Sequence, residues 1–402
     1  MTPFLPGFLR GLRFSWAGFA TFLAMAALLA IGVASINSAC IVREGAVRWL
    51  HLRQLRQWIP LGLGAYLLFA LVPYRRLVDL SALVYLVAVL LLVLVLVPGL
   101  GTEQFHARRW LFGFQPSEFA KFAMLLVIAF LLTTDLLERG AARLAALALS
   151  LAAPLALVAM QPDLGSALVL LPVAWSMLFV AGTAPRFLFW STLAALAAAG
   201  LFLGAILVPE TMPPDSPVRA RIERVADAVV FPHWKTRVLA FAFPERDPLG
   251  AGWNRRQSEI AVGSGGLRGK GYHNGTQNIL GFLPRAVSST DFIFSVYAEE
   301  TGFVGSLCLL GLYAALFAGI AAVGLRCADT TGRLLCAGVL ALLGFHVFVN
   351  IAMTVGRVPI TGLPLPLISY GGTFTISTMA MLGLVQGVAL RGRPPEPPSP
   401  TP

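Results

Sequence analysis

The chain has 402 residues, of which 57% are hydrophobic and 12% are charged, and its mean hydropathy is +0.78. A soluble protein of this length carries about a quarter charged residues, so the composition excludes an ordinary soluble domain and indicates an integral membrane protein. The 30 Lys and Arg residues outnumber the 19 acids. On a membrane protein this excess indicates topology signals and contacts with membrane lipids of negative charge, rather than nucleic acid.

Ten apolar segments are each long enough to cross a bilayer as a helix, which satisfies its own backbone hydrogen bonds. The first follows Arg10 and Arg13 and is too long for the core of a cleavable signal peptide, so we expect it to remain as an anchor. The predicted fold is an all-α polytopic membrane protein of about ten transmembrane helices, forming a single domain over residues 1–393. The segments lie near 14–36, 57–73, 78–100, 117–136, 144–160, 164–183, 187–208, 291–325, 334–355 and 372–390.

An even number of spans places both termini on one side of the membrane. The segments on that side hold more arginines than the short loops on the other side, which predicts cytoplasmic termini. This topology leaves one large extracytoplasmic loop, residues 209–290, between the seventh and eighth helices. The tail, residues 394–402, is rich in proline and is expected to be disordered.

Within the large loop, the string SPVRARIERVADAVVF places Val218, Ile222, Val225 and Val229 at helical spacing, with arginines on the other faces. This pattern predicts an amphipathic helix that lies in the membrane interface. A helix that packs on the bundle explains the same pattern equally well.

The string GSGGLRGKG, residues 263–271, does not match a phosphate-binding P-loop, because Ser264 replaces the first glycine and Gly271 follows Lys270. A glycine-rich turn still exposes backbone N–H groups, which together with Lys270 and Arg268 would suit a diphosphate. A flexible turn is the simpler explanation.

Ionisable side chains at membrane depth are costly unless they are paired or face water. Glu118 and Lys121 stand three residues apart at the start of the fourth span, where they would neutralise each other. Asp163 lies in a proline-broken corner between two spans, and Asp291 opens the eighth span. Each of these two acids has the alternative role of a helix cap.

Taken together, the four residues predict a polar cavity that opens outward and admits a lipid from the side. The predicted topology puts all of them near the outer membrane face, and Arg109, Lys270 and Arg357 lie in loops on that face. Glu299 and Glu300 lie roughly 12 to 14 Å further along the helix of Asp291, too far for direct proton transfer. We expect them to be structural, or packed against arginines of the loop.

The stretch GRVPITGLPLPLISYGG, residues 356–372, cannot form a continuous helix because it holds three prolines. Apolar backbone without helix is tolerated at membrane depth only where it is buried in protein or lines a cavity. We therefore expect a re-entrant wall of the cavity.

Six strings resemble the motifs of the SEDS family, the group that contains RodA and FtsW. They follow the family order over residues 108–373, within a frame of ten spans. The combination of GKG, GTQ and GFLP favours the elongation branch, RodA. The strings are RRWLFGFQPSEFAKF, QPDLGSA, DPLGAGWNRRQSEIAVGSGGLRGKGYHNGTQ, GFLP, TDFIFSVYAEETG and TGLPLPLISYGG.

The resemblance implies a peptidoglycan glycosyltransferase that polymerises lipid II at the outer face of the bacterial cytoplasmic membrane during cell elongation. It also implies a partner, a class B penicillin-binding protein, that crosslinks the new strands. By motif, Asp291 matches the essential acid of the family, and Glu118, Lys121 and Asp163 match its other catalytic residues. The expected substrate-binding residues are Arg109, Trp110, Lys270, Gln277, Arg357 and Ser369.

The chemistry of joining sugars from a diphospho-lipid needs a base for the acceptor hydroxyl and positive charge for the departing diphosphate. Asp291 is our candidate base, and Lys121, Arg109 and Lys270 are candidate diphosphate ligands. We expect a divalent cation, Mg²⁺ or Mn²⁺, to bridge a carboxylate and phosphate, and we expect no organic cofactor. Asp163 and Glu118 have the alternative role of orienting Lys121.

One segment departs from the family pattern, which has an acid directly after FLP and a histidine before Thr-Asp. Here the segment reads LPRAVSSTD, with Arg285 and Ser289 at those places, and it is about two residues longer than the pattern. The departure concerns the loop before Asp291 rather than the acid itself.

Two other functions compete with polymerisation. A flippase for a lipid-linked sugar also needs a polar cavity with lateral access, but its polar residues should extend to both membrane faces. A scaffold that recruits wall-building proteins would not need the Glu118–Lys121 pair or Asp163.

Overall fold

A computed structural model describes residues 13–104, 107–134, 140–247, 250–284 and 287–392. These residues form sixteen α-helices, three short helical turns of other types and one antiparallel hairpin of two strands, β1 (Thr102–Gln104) and β2 (Ala107–Trp110). The helices are α1 (Trp16–Ala39), α2 (Leu50–Arg53), α3 (Ile59–Leu71), α4 (Tyr74–Asp79), α5 (Ser81–Leu96), α6 (Pro116–Thr133), α7 (Ala141–Met160), α8 (Leu164–Val180), α9 (Pro185–Thr211), α10 (Pro217–Val229), α11 (Pro232–Ala242), α12 (Ala251–Ser264), α13 (Thr276–Ile279), α14 (Ile293–Leu325), α15 (Thr330–Thr354) and α16 (Gly372–Arg391).

All ten predicted spans coincide with helices. Seven of these helices, α1, α6, α7, α9, α14, α15 and α16, are long and apolar enough to cross a membrane, and α5 and α8 are shorter apolar helices. The predicted segment 57–73 falls in a helical run from Leu50 to Leu71, which contains a π-helical turn over Gln54–Trp58. The predicted class, a polytopic helical membrane protein, is confirmed.

The two ends of the described chain lie side by side. The backbone N–H of Arg13, just before α1, donates to the carbonyl oxygen of Leu390 in α16 at 2.9 Å. This agrees with termini on one side of the membrane, and the identity of that side stays a prediction. The predicted disordered tail, 394–402, lies outside the described residues.

The large loop is mostly helical. The predicted amphipathic helix is present as α10, and it packs on the end of α9 together with α11. A small apolar cluster of Ile206, Val230 and Val238 joins these three elements. Contact with the bundle is therefore established for this part of the loop, whereas its location in the membrane interface stays a prediction.

Residues 265–271, which we call the glycine strap, are bound to a break in α14. Gly302 interrupts that helix with a φ of +70°, a conformation that glycine adopts without steric cost. The backbone N–H groups of Lys270 and Gly271 donate to the carbonyls of Glu299 and Glu300, both at 3.0 Å. The expectation of a flexible turn is therefore wrong, because the strap satisfies backbone groups that the broken helix leaves unpaired.

The predicted re-entrant wall, 356–372, has no helix before α16 begins at Gly372, and its central part is buried in protein. Leu363, Leu365 and Ile368 are at most 1% exposed. Ser369 stabilises the conformation of the wall. Its hydroxyl accepts a hydrogen bond from the Leu365 N–H at 2.8 Å and donates one to the Thr290 carbonyl at 2.6 Å. The wall is thus fixed to the segment that carries Asp291.

The helix α3 packs closely on α16, the helix that follows the wall. At Gly383 a Cβ atom would lie 2.3 Å from the carbonyl oxygen of Tyr66, so no larger residue fits without moving a backbone. Small residues at such positions let membrane helices approach closely.

We expect Gly383→Ala to lower the free energy of unfolding by about 1–3 kcal/mol, because the new methyl group has no space. Gly64→Ala on α3 is the matched control, since no described atom lies within 4 Å of the Cβ position there. Thermal unfolding of both variants in one detergent compares them. Equal stability of the two variants would contradict the packing.

Candidate active site

Three helices begin next to the wall. The backbone N–H of Gln115, just before α6, donates to the Thr373 hydroxyl of α16 at 3.3 Å. Its side-chain amide lies 3.4 Å from Asp163 Oδ2, at the start of α8. A Cβ on Gly165 would lie 2.6 Å from Leu363 Cγ, so α8 begins directly against the wall. Helix N-termini carry partial positive charge, which makes this region favourable for anions.

Asp291 lies at the same place, before the start of α14. Its backbone carbonyl accepts a hydrogen bond from Asn350 Nδ2 at 2.9 Å, and the same amide donates to the Leu363 carbonyl at 2.8 Å. The residue that caps α14 is Phe292, with no side-chain cap bond, so the alternative role of Asp291 as the helix cap is wrong. The carboxylate is left for another role.

Arg237 of α11 faces the Asp291 carboxylate across Gly362. A Cβ on Gly362, whose φ is +79°, would lie 3.7 Å from Asp291 Oδ2 and 4.0 Å from Arg237 Nη1. Arg237 Nη1 also donates to the wall carbonyls of Ile360, at 3.2 Å, and Thr361, at 2.7 Å. The acid and the guanidinium thus both lie next to residue 362, where the positive φ favours glycine.

Burial and the neighbouring arginines have opposite effects on the pKa of Asp291. Burial raises the pKa of Asp291 to about 6, although Arg237 and Arg109 lower it. Burial lowers the pKa of Arg237, with Arg109 acting in the same direction and Asp163 and Asp291 opposing. Asp291 is thus an acid whose pKa lies near neutral pH, as suits a general base.

Arg109 and Asp163, both predicted site residues, hold the corner between α7 and α8. Arg109 donates from Nε to the Gln161 carbonyl at 3.1 Å and from Nη2 to the Pro162 carbonyl. Asp163 Oδ1 accepts from the Ser166 N–H at 3.2 Å, which confirms its role as the cap of α8. Trp110, next to Arg109 at the end of β2, is half-buried.

Glu118 and Lys121 form the predicted ion pair, at 2.7 Å, with both side chains at most 3% exposed. Lys121 Nζ also lies 3.2 Å from His346 Nε2, and Ser377 donates to the second oxygen of Glu118 at 3.2 Å. The pair therefore lies between helices, enclosed by partners, rather than in an open cavity. Sequence reasoning missed His346, which looks like one more residue of an apolar helix.

Lys270 and Gln277 lie in a second polar cluster, around Glu299. Lys270 Nζ is 2.6 Å from Glu299 Oε1, which also accepts from the Gln277 backbone N–H at 3.0 Å. Glu300 accepts from Ser38 of α1. The expected arginine partners of these two acids are therefore replaced by a lysine, a serine and backbone groups.

The other predicted substrate-binding residues have separate positions. Arg357 is exposed at the start of the wall, and Ser369 is fully buried within it. Arg285, the residue that departs from the family pattern, lies outside the described ranges. The geometry thus unites Asp291, Arg109 and Asp163 with the unpredicted Arg237, and it puts Lys270 and Gln277 elsewhere.

A divalent cation would find few protein ligands here. Within the ranges that the structure covers, no group of three or more His, Cys, Asp or Glu side chains comes together as a metal site. Asp291 and Asp163 are the two carboxylates of the cluster. This fits the common binding of Mg²⁺ through one or two carboxylates and substrate phosphates.

Comparisons with known proteins agree on one family. The family model of FtsW, RodA and SpoVE, described as a cell cycle protein, matches residues 17–393. The chain is 33% identical to the peptidoglycan glycosyltransferase RodA of Treponema pallidum, over 92% of this chain and 96% of that protein. It is 36% identical to the peptidoglycan glycosyltransferase MrdB of Escherichia coli, over 82% and 83%.

The fold is similar to that of a chain solved in a study of the "structural coordination of polymerization and crosslinking by a peptidoglycan synthase complex". The TM-score is 0.71 at 34% identity, and the match covers 92% of this chain and 97% of the other. Fold and sequence therefore lead to the same relatives.

We expect Lys270→Met to lower the free energy of unfolding by about 1–3 kcal/mol, because it leaves the buried Glu299 without its partly exposed ion-pair partner. The double variant Lys270→Met/Glu299→Gln should recover part of the loss, since it removes the buried charge. Thermal unfolding of the single and double variants measures the coupling. A Lys270→Met variant with unchanged stability but weaker substrate binding would instead make Lys270 a diphosphate ligand.

Proposed function

The chain belongs to the FtsW, RodA and SpoVE family, and we propose that it is a peptidoglycan glycosyltransferase that polymerises lipid II. The observation that carries this proposal is the Asp291 carboxylate facing Arg237 across Gly362. An acid beside fixed positive charge is what transfer of a sugar from a diphosphate requires. The names of the relatives supply the class of sugar polymer.

In the proposed reaction, the acceptor hydroxyl oxygen forms a bond to the anomeric carbon of the donor. The bond between that carbon and the diphosphate oxygen breaks, and the electron pair stays on the released lipid diphosphate. The hydroxyl proton passes to the Asp291 carboxylate. Because its pKa is raised to about 6, Asp291 is ionised at neutral pH and still able to accept a proton.

Arg237 and Arg109 supply the positive charge for the departing diphosphate. The hydrogen bonds of Arg237 to Ile360 and Thr361 use only Nη1, so Nη2 and Nε can donate to phosphate oxygens. A guanidinium suits this task because its donors form a planar fork that matches phosphate geometry. A Mg²⁺ or Mn²⁺ ion shared by Asp291 or Asp163 and phosphate would add to the same charge.

The Glu118–Lys121 pair acts as positioning residues in this proposal. Lys121 is 1% exposed and already bonded to Glu118 and His346, so reaching a diphosphate would cost those interactions. His346 Nδ1 in turn lies 3.3 Å from the carbonyl of Pro364 in the wall. The pair therefore ties α6 to the wall that flanks Asp291.

The proposed setting rests on the arginine distribution and on the relatives. We place the site at the outer face of the bacterial cytoplasmic membrane, with cytoplasmic termini, as the arginine distribution predicts. A class B penicillin-binding protein is the proposed partner, because the similar solved chain belongs to a complex that couples polymerization to crosslinking. The resemblance to RodA and the GKG–GTQ–GFLP strings support a role in cell elongation.

We expect Asp291→Asn to reduce glycan synthesis by about 100-fold or more, the usual contribution of a positioned general base. The assay uses purified protein reconstituted with lipid II and its penicillin-binding partner. Asp227→Asn, an exposed acid on α10, is the matched control and should retain activity. Full activity of the Asp291→Asn variant would show that Asp291 is not the general base. Transfer of lipid II across sealed vesicles without any glycan would instead support the flippase.

We expect Arg237→Gln to reduce the rate by about 10- to 100-fold, since a hydrogen bond to a charged group is lost. Arg237→Lys should recover part of the rate by restoring the charge without the fork. Arg221→Gln, an exposed arginine on α10, serves as the control. If Arg237→Gln and the control synthesise glycan at equal rates, Arg237 has no role in the reaction.

A further inference from the structure

The segment that carries Asp291, residues 287–292, consists of turns and contains no helix. The backbone N–H groups of Thr290 and Phe292 both donate to the Val287 carbonyl, each at 3.1 Å. Irregular backbone keeps one conformation when its buried polar groups find partners in other elements. The direction of the Asp291 carboxylate therefore depends on contacts that reach this segment from elsewhere in the chain.

The wall and α15 hold the end of the segment that adjoins α14. The backbone N–H of Tyr370 donates to the Ser289 carbonyl at 2.8 Å. Ser369 and Asn350 donate to the next two carbonyls, of which the second is that of Asp291. Three successive carbonyls thus bond to the C-terminal part of the chain.

Arg43 holds the beginning of the segment. Its Nη2 donates to the hydroxyl of Ser288, whose side chain is fully buried. Arg43 comes shortly after α1, and its backbone N–H donates to the Cys40 carbonyl at 3.1 Å. Because Cys40 is also fully buried, the arginine extends from a well-packed point at the end of α1.

The bond between Arg43 and Ser288 is suited to positioning. A hydrogen bond with an ionised donor is about twice as strong as one between neutral groups. Ser288 lies in the string LPRAVSSTD, where this chain departs from the family pattern. The contact is therefore a feature of this chain that does not follow from the family motifs.

We propose that Arg43 is a positioning residue, which directs Asp291 toward the acceptor hydroxyl through its bond to Ser288. The inference rests on the proposed function, in which Asp291 takes the hydroxyl proton. A misplacement of about 1 Å at a reacting group can cost roughly 100-fold in rate. A base whose segment is held at one end only is in place for a smaller fraction of the time, which lowers kcat and leaves substrate binding unchanged.

The reconstituted glycan assay tests Arg43→Gln and Ser288→Ala, each of which removes one partner of the bond. We expect each variant to lose about 10-fold in kcat at an unchanged KM for lipid II. The double variant should lose no more than either single variant, because both changes remove the same interaction. Arg43→Lys, which keeps a charged donor, should recover part of the rate. Arg48→Gln, at an exposed arginine nearby, is the control and should retain the wild-type rate.

Rates in light and heavy water separate positioning from a loss of folded protein. A misplaced base makes proton transfer a larger part of the barrier, so the solvent isotope effect on kcat should rise in both single variants. A smaller amount of active protein would lower the rate but leave the isotope effect as it is in the wild type. Unfolding temperatures establish that the variants are folded.

A wild-type rate in the folded Ser288→Ala variant would overturn the proposal, and so would an isotope effect that neither variant changes. If Arg43→Gln does not fold, Ser288→Ala decides the question by the same two measurements. A wild-type protein that makes no glycan would instead overturn the proposed function together with this inference.

Discussion

The hydrogen bonds from the Arg237 guanidinium to the carbonyl oxygens of Ile360 and Thr361 join the large loop to the re-entrant wall. The wall has no helix to satisfy its backbone, so each buried carbonyl needs a donor from elsewhere. Arg237 meets this need at the point where the wall passes Asp291. The position of the proposed base therefore depends on a residue from a separate part of the chain, and Asn350 completes the same junction from α15.

A second break in regular structure is stabilised in a related way. At Gly302 the helix α14 opens, and the glycine strap bonds to the carbonyls of Glu299 and Glu300. In both places a loop outside the spans supplies backbone or guanidinium donors to the interior of the bundle. Two parts of the large loop are thus bonded to the bundle, and one of them, the glycine strap, belongs to a family motif string.

The sequence was sufficient to predict the helices and to select Asp291 as a candidate base, because both inferences depend on strong local signals. The length of an apolar segment identifies a membrane span. An acidic side chain at membrane depth is costly, and it is therefore a candidate for a functional role. Arg237 had no such signal, since an arginine in an amphipathic loop helix is ordinary and its importance arises from a contact more than a hundred residues away. Lys270 was predicted to bind the diphosphate because the sequence does not show its partner, Glu299. The two residues meet where the glycine strap bonds to the break at Gly302.

The charges proposed to hold a diphosphate would also adjust the pKa of the proposed base during the reaction. In the free protein, Arg237 and Arg109 lower the pKa of Asp291 against the effect of burial. A bound diphosphate would neutralise those guanidinium groups, and an acid whose neighbouring cations are neutralised has a higher pKa. Asp291 would then be most basic when the donor is in place. When the lipid diphosphate leaves, the arginines regain their influence and favour release of the proton, which returns the carboxylate for the next sugar.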